Sequence, residues 1–391
     1  MPRERNRDID EIKKAEETVR RKKRKRTLII AVAILFLLIM ALVWFLIQGR
    51  REYGSYEVVS SSENAEGGDF YESFADGVVR YSANGIKFET TEGARIWDSG
   101  LSMHTPGVVF SEKYGLVYDI GGSGAMLFNE DGVVTSFSTM LPIAAAGISD
   151  YGVTAFMTQD NNVSSVYFYD ASGRKLDIEV RNVLAKSSGY PISMSMSGSG
   201  KGLVLSLVFI DRGAVKTRIS FLNFDLGKDN TDRVVGYFEY DECIFPEVDY
   251  LSPDRVVAFG DDRAVFYSLS NEALPKVIKE IEYDEEIESV FTKQGRAAVI
   301  TRAGDGGHVL HIYDSDGEPV LEEDFENSYQ KAEFSGNYAL VYGSDYCFIA
   351  TDGGVIKYRG LLDGYTTYMT SAGSDRFLQY GDYGIRTIRL K

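Results

Sequence analysis

The sequence is poor in the residues that carry most metal and redox chemistry. It has only two cysteines, Cys243 and Cys347, and three histidines among 391 residues. Neither cysteine belongs to a CxxC motif or has a second cysteine or a histidine nearby, which excludes the common zinc motifs. Two arrangements stay open: two buried free thiols, or a disulfide across 104 positions in an oxidising compartment.

Motifs of well-known catalytic sites are also missing. The chain has no GxSxG nucleophile elbow, and Ser199-Gly200-Lys201-Gly202 lacks both the earlier glycine and the Mg²⁺-binding hydroxyl of a phosphate loop. Hydrolysis by paired carboxylates stays open, because the chain is rich in acidic residues but no spacing selects a pair. A non-catalytic protein is therefore the favoured interpretation.

One long apolar run stands out against these absences. The twenty residues from Leu28 to Ile47 are all apolar, long enough as a helix to span the hydrocarbon core of a bilayer. Residues 1–27 carry 12 Lys and Arg, whereas only Arg50 and Arg51 follow the run closely. This asymmetry predicts an uncleaved signal-anchor with a cytoplasmic N-terminus and an extracytoplasmic C-terminal part. A cleavable signal peptide is the alternative, but the run is too long and no small-residue cleavage site follows it.

The anchor divides the chain into four predicted parts. These are a basic cytoplasmic tail at 1–27, a transmembrane helix at 28–47, a linker at 48–69 and an ectodomain at 70–391. The first 51 residues hold 14 basic and 6 acidic side chains of the total 42 and 58, which leaves 28 and 52 for the remainder. An ectodomain with a net charge near −24 repels nucleic acid, so its partners are expected to be neutral, cationic or bridged by metal ions.

The ectodomain shows no helical period and repeats one unit throughout its length. Short runs rich in Val, Ile, Tyr and Phe alternate with turns rich in Gly, Asp, Asn and Ser, which predicts antiparallel strands. The unit recurs every 36 to 54 residues, a period typical of the four-stranded blades of a β-propeller. The last copy lacks one strand, which residues 56–60 are placed to supply. We therefore predict an all-β propeller of eight blades, with seven blades or a two-sheet sandwich as alternatives.

Several segments resemble a known family. They are GVVRYSANGIKF at 77–88, LPI at 141–143, GYPISMSMS at 189–197, VVAFGD at 256–261 and DEEIESVF at 284–291. On these segments the chain resembles an uncharacterised bacterial family, a domain of unknown function in single-pass membrane proteins with a propeller-like ectodomain. The resemblance implies fold and topology only. The GH and WD dipeptides of WD40 blades and the tryptophan-docking motifs of quinoprotein blades are absent.

Acidic residues recur at one kind of position in the repeat. Turns between second and third strands and connections between blades emerge on the same side of a four-stranded meander, and both are acidic here. The predicted binding residues are Asp119, Asp160, Asp211, Asp261, Asp262, Asp305, Asp345, Asp382, Glu242, Asp284, Glu285 and Glu323. Such a carboxylate rim suits a basic partner or Ca²⁺, although no cofactor is predicted and no metal ligands are assigned. The alternative is that Asp simply suits tight turns and exposed charge is solvated.

The favoured function is a non-catalytic binding or scaffold module in the bacterial cell envelope, which recognises an envelope protein or glycan through its acidic side. Two alternatives stay open: a membrane-tethered hydrolase or lyase acting on envelope carbohydrate, and an envelope sensor that signals through the 27-residue tail.

Overall fold

The computed structural model describes residues 34–36, 39–40, 49–62, 70–91, 93–160, 163–183, 189–225, 233–270, 273–304 and 306–391, without the side chains of 160, 181–183, 270 and 273. The predicted transmembrane run at 28–47 lies mostly outside these residues; 34–36 and 39–40 are helical. No helix in the described part of the chain is long and apolar enough to cross a membrane. The membrane span therefore stays a prediction.

Residues 53–391 form one compact unit of antiparallel four-stranded sheets, each a blade with strands A to D from the innermost to the outermost. The first four blades are β2 (Phe70–Phe74), β3 (Gly77–Tyr81), β4 (Gly85–Thr90), β5 (Arg95–Gly100); β6 (Pro106–Phe110), β7 (Gly115–Asp119), β8 (Gly124–Asn129), β9 (Gly132–Ser138); β10 (Ile143–Ile148), β11 (Thr154–Asp160), β12 (Val163–Tyr169), β13 (Lys175–Val183); and β14 (Tyr190–Met196), β15 (Gly202–Asp211), β16 (Ala214–Asn223), β17 (Val234–Asp241).

The next three blades are β18 (Glu247–Ser252), β19 (Arg255–Phe259), β20 (Arg263–Ser270), β21 (Ala273–Glu282); β22 (Ile287–Lys293), β23 (Arg296–Arg302), β24 (His308–Asp314), β25 (Pro319–Phe325); and β26 (Lys331–Ser335), β27 (Tyr338–Tyr342), β28 (Tyr346–Thr351), β29 (Ile356–Leu361). Blade 8 contains β30 (Thr366–Ser371), β31 (Arg376–Gly381), β32 (Gly384–Leu390) and, as strand D, β1 (Tyr56–Ser62). The eight-bladed propeller is thereby confirmed, and the seven-bladed and sandwich alternatives are wrong.

The N-terminal strand closes the ring. β1 pairs antiparallel with β32, with Tyr56 opposite Leu390 and Ser62 opposite Ile385. Side chains reinforce the closure, since Lys391 Nζ lies 2.6 Å from Glu57 Oε2. The strand predicted at 56–60 therefore exists, extends to residue 62 and supplies the missing outermost strand. The first and last strands of the propeller are thus joined by a sheet ladder.

The core lies between neighbouring blades. Each sheet packs on both sides, so its middle strands contain continuous buried runs instead of strict alternation, and every residue of β7 and β27 is buried. Between blades 1 and 2, the ring of Phe74 meets those of Phe88 and Phe128 edge-on, with centroids 5.8 and 5.7 Å apart. Burial of one such side chain contributes about 1.5–3 kcal/mol. Both cysteines are buried and free, which confirms the first of the two expected arrangements.

All eight outermost strands are irregular against strand C. Each C–D pair contains a register shift, such as those at Phe88/Glu89 in blade 1, Leu127/Phe128 in blade 2 and Val58/Ser60 in blade 8. A bulge increases local twist and interrupts the flat row of backbone groups that another chain needs for pairing. The outer edge of the propeller, formed by the D strands, is therefore poorly suited to strand addition. The two flat faces and the central axis remain as candidate sites.

Candidate functional site

The two flat faces are defined by their loops. We call the face with the B–C turns and the blade-to-blade connections the DA face, and the face with the A–B and C–D turns the AB face. Asp119 and Asp211 end B strands, while Asp261, Asp262, Asp345 and Asp382 lie in B–C turns. These predicted residues thus belong to the DA face. The same face contains the predicted residues in or near connections, which are Glu242, Asp284, Glu285 and Glu323. Asp160 also ends a B strand, but its side chain and the whole of Asp305 lie outside the described residues.

Three of these aspartates hold the backbone of the preceding connection. Asp119 is buried, and its Oδ1 accepts hydrogen bonds from the backbone N–H groups of His104 and Thr105 at 2.9 and 2.8 Å. Burial alone would raise the pKa of Asp119, but these N–H donors lower it below its usual value. Asp261 accepts in the same way from the backbone N–H of Ile244, and Asp382 from that of Tyr365. Each donor lies in the connection that leads into the blade of its aspartate. All three carboxylates thus stabilise connections, and of the three only Asp119 is buried.

Other predicted carboxylates are engaged by basic side chains. Lys216 Nζ lies 3.3 Å from Asp211, Arg263 donates to both oxygens of Asp262 at 2.7 and 2.9 Å, and Arg359 donates to Glu323 at 2.7 Å. The exposed acids of the prediction are Asp261, Asp345, Asp382, Glu242, Asp284 and Glu285, and two of these, Asp261 and Asp382, also hold a connection. The continuous carboxylate rim therefore reduces to a shorter acidic region, with much of its charge balanced by neighbouring strands.

One cluster brings metal-ligand residue types together. Ligand atoms of Cys243, Asp261 and Asp262 all lie within 4.8 Å of one another. However, Arg263 occupies both oxygens of Asp262, and the Cys243 thiol lies 3.3 Å from one of them. Burial, with help from the two aspartates, raises the pKa of Cys243 well above its usual value, so the thiolate needed for metal binding is disfavoured. This cluster does not fit the oxygen-rich shell that Ca²⁺ prefers.

Exposed apolar side chains form a feature of the DA face that the sequence analysis missed. The large hydrophobic residues exposed on its turns, connections and strand ends are Phe70, Ile120, Met140, Tyr190, Ile210, Val215, Ile244, Leu361 and Tyr365. Met140 is fully exposed in the connection between blades 2 and 3. In the described turns and strand ends of the AB face, the corresponding residues are fewer: Ile96, Val133, Tyr151 and Leu274. The signal in the sequence was an apolar residue inside a connection, as in Thr139-Met140-Leu141.

Apolar and acidic groups occupy different sectors of the DA face. We call the apolar residues of consecutive blades 2–5, namely Ile120, Met140, Tyr190, Ile210 and Ile244, the apolar arc. We call the exposed acids of the next two connections, namely Asp284, Glu285, Glu286, Asp324 and Glu326, the acidic arc. A single face thus offers a hydrophobic contact surface with a negative region beside it.

The innermost strands enclose a second candidate, a cavity of about 540 Å³ on the propeller axis. Its wall contains the carboxylates Glu72, Asp249 and Glu333 and the rings Phe110, Phe291 and Phe334, and A–B turns form its mouth on the AB face. Blade 8 contributes none of the described lining residues, because blades 1 and 7 meet in front of it: Ser73 Oγ lies 3.2 Å from Ser335 Oγ. We call this space the axial cavity.

A family model covers most of the chain. Residues 49–390 match the family of unknown function DUF5711. The chain belongs to DUF5711. This confirms the resemblance to an uncharacterised family, and membership assigns no activity. No curated protein matches the sequence.

Several solved structures are similar to this DUF5711 member. The computationally designed protein Ika8 has a TM-score of 0.51 and 11% identity, with 87% of this chain and 100% of Ika8 covered. BamB from Moraxella catarrhalis has a TM-score of 0.49 and 13% identity over 86% and 100% of the two chains. Hsv2 from Kluyveromyces lactis has a TM-score of 0.47 and 10% identity over 78% and 98%. At 11% identity, the likeness to Ika8 shows the fold alone.

Proposed function

We propose that this propeller is a non-catalytic binding or scaffold module whose DA face recognises a protein partner. The observation that carries the proposal is the uneven distribution of exposed apolar side chains between the two faces. Isolated exposed hydrophobic residues are ordinary, but a series of them on consecutive blades of one face marks an interaction surface.

The arrangement also indicates the chemistry of the partner. The apolar arc provides the anchors from which protein interfaces gain most of their binding energy. The acidic arc lies beside it and favours basic side chains on the partner, which steers encounter and fixes orientation. A partner surface with a hydrophobic centre and basic residues at one side satisfies both arcs.

Topology supports the same choice of face if residues 28–47 anchor the chain in a membrane, as we propose. The chain enters the propeller on the AB face, where Tyr53 donates from its hydroxyl to Asp375 in an A–B turn and from its backbone N–H to Lys357 O. Tyr56 then begins strand D of blade 8 on that face. A tether at this point leaves the DA face accessible to other components of the cell envelope.

Site-specific photocrosslinking in cells tests the proposal. A photoreactive residue would replace Met140 or Ile210 on the DA face, and Tyr151 on the AB face serves as the matched control because it is also strongly exposed. We expect the same protein to be captured from both DA-face positions and not from Tyr151. Equal capture from all three positions, or capture from Tyr151 alone, would contradict the proposal.

A further inference from the structure

The axial cavity combines two kinds of surface. Its aromatic rings come from blades 2, 6 and 7, and Phe291 and Phe334 lie with centroids 4.9 Å apart. Between these rings stand carboxylates, hydroxyl groups and the ammonium group of Lys293. A volume of about 540 Å³ falls within the range of small-molecule sites, which join apolar walls to a few fixed polar groups.

The polar groups on one side of the axial cavity are held in place by three blades. Thr292 of blade 6 donates from Oγ1 to Asp249 Oδ2 at 2.6 Å, and Ser195 of blade 4 donates to the same carboxyl group. Ser195 Oγ in turn accepts the backbone N–H of Tyr250 at 3.2 Å. Asp249 is therefore fixed before any ligand arrives, as a preorganised site requires.

The opposite side is fixed by a lysine between two carboxylates. Lys331 Nζ lies 3.1 Å from Glu72 Oε1 and 3.3 Å from Glu333 Oε2. Tyr342 donates from its hydroxyl to Glu333 at 2.8 Å. These contacts satisfy part of each carboxylate and leave further lone pairs for hydroxyl donors.

Burial of these carboxyl groups disfavours the ionised forms that a metal ion needs. Burial raises the pKa of Asp249 and raises the pKa of Glu333 to about 7, in the latter case against the opposing effect of Lys331. A divalent cation needs ionised carboxylates, whereas a carboxyl group that keeps its proton both donates and accepts hydrogen bonds. Sugar hydroxyl groups also donate and accept.

We propose that the axial cavity binds a saccharide unit, with C–H faces of the sugar against Phe110 and Phe334 and sugar hydroxyl groups bonded to Asp249 and Glu72. Its mouth is formed by A–B turns that include Asp150, Pro253 and Gln294, so the sugar enters from the AB face. The site is therefore separate from the partner surface of the DA face and stands or fails independently of it.

Saturation-transfer NMR tests the proposal on the full chain, in a detergent whose headgroup contains no sugar. The probes are chitobiose, cellobiose and maltose, each added separately. We expect at least one of them to receive saturation, and Asp249→Asn to weaken its binding by about tenfold or more. Asp254→Asn, an exposed carboxylate in an A–B turn outside the cavity lining, is the matched control and should bind as the unchanged protein does.

A second variant guards against loss of fold. Gln294 is exposed at the mouth, so Gln294→Trp should block entry without disturbing the core. We expect it to abolish saturation transfer while the melting temperature stays unchanged. Failure of all three disaccharides to bind, or binding that survives both Asp249→Asn and Gln294→Trp, would overturn the proposal.

Discussion

The C–D turns of the AB face and the blade-to-blade connections of the DA face are closed in different ways. On the AB face, C–D turns are closed locally: Asp170 accepts the backbone N–H groups of Ser172 and Arg174, and Gly173 adopts a φ of 84° that favours glycine. On the DA face, Asp119 accepts from residues 14 and 15 positions earlier. Local closure needs only the turn's own polar residues. A connection on the DA face is instead held by a carboxylate of the blade that follows it, so its own side chains are not needed to close it. Several of these side chains are apolar and exposed.

This contrast separates structural acids from exposed ones. Asp119 is buried and its role is to order a connection, whereas Asp284 and Glu285 are exposed. Acidic residues thus have two roles on the DA face. Only exposed acids such as Asp284 and Glu285, together with the apolar arc, are available to a partner. The predictions below test this separation, beginning with the largest expected effect.

The largest effect is expected from the apolar arc. Met140→Asp combined with Ile210→Asp should weaken binding of the captured partner by roughly a thousandfold, because buried anchors each contribute about 2 kcal/mol to an interface. The melting temperature should change little, since both side chains are exposed. Binding is measured by titration calorimetry. Tyr151→Asp on the AB face is the control, and an equal loss there would remove the difference between the faces.

A second prediction concerns Glu247, the first residue of β18 at the DA-face end of the inner strand. Burial, with a smaller contribution from Asp249, raises the pKa of Glu247 to about 7. The folded protein then holds a proton that the unfolded chain releases, so this group lowers stability as pH rises from about 4.5 to 7. Glu247→Gln should therefore gain up to roughly 3 kcal/mol over the unchanged protein above pH 7.

The measurement is the free energy of unfolding by denaturant for both proteins across this pH range. The difference in free energy of unfolding between the two proteins should vanish below about pH 4.5 and reach its maximum above about pH 7. A difference that is the same at every pH would show that the change acts through packing and not through the proton.

The third prediction concerns the loop-holding role of Asp119. Asp119→Ala removes a charged acceptor that makes two part-buried hydrogen bonds to backbone N–H groups and should lower the free energy of unfolding by about 2 kcal/mol. Because the folded pKa is lowered, the stability that Asp119 contributes is present above its unfolded pKa and is lost as pH falls through the folded value. Asp284→Ala is the exposed control and should have almost no effect. Comparable losses for both variants would contradict two distinct roles.

The smallest effect is expected from the acidic arc. Asp284→Asn with Glu285→Gln should lower the association rate of the partner a few-fold at low salt and leave its dissociation rate unchanged, because exposed charges act mainly through steering. Surface plasmon resonance at two salt concentrations measures both rates. Glu130→Gln with Asp131→Asn at the C–D turn of blade 2 is the AB-face control. If the dissociation rate changed instead, the arc would lie within the buried contact.

Architecture was largely predictable from the sequence because its signals are local. Turn glycines such as Gly173 and Gly317 mark C–D turns with positive φ, and the repeat of these turns predicted the blades. The ring-closing strand was also predictable, since the last copy of the repeat lacks one strand and residues 56–60 have strand character. Membrane anchoring rests on the sequence alone.

The site was less predictable because its contacts are not local. Asp119 looks like any turn aspartate until the fold brings the preceding connection over it, and Lys331 meets Glu72 across 259 positions. Met140 has the residue type of a core position, so its exposure becomes visible only when the connection that carries it is placed. Sequence patterns located the DA face but could not separate its structural carboxylates from its contact surface.

The most direct test of the DA face as the partner surface is oxidative footprinting of Met140. Oxidation of this fully exposed side chain would be compared between cells and the purified protein, with Tyr151 on the AB face as the internal reference. We predict that Met140 is protected in cells whereas Tyr151 is modified equally in both samples. Equal oxidation of Met140 in cells and in the purified protein would contradict the account.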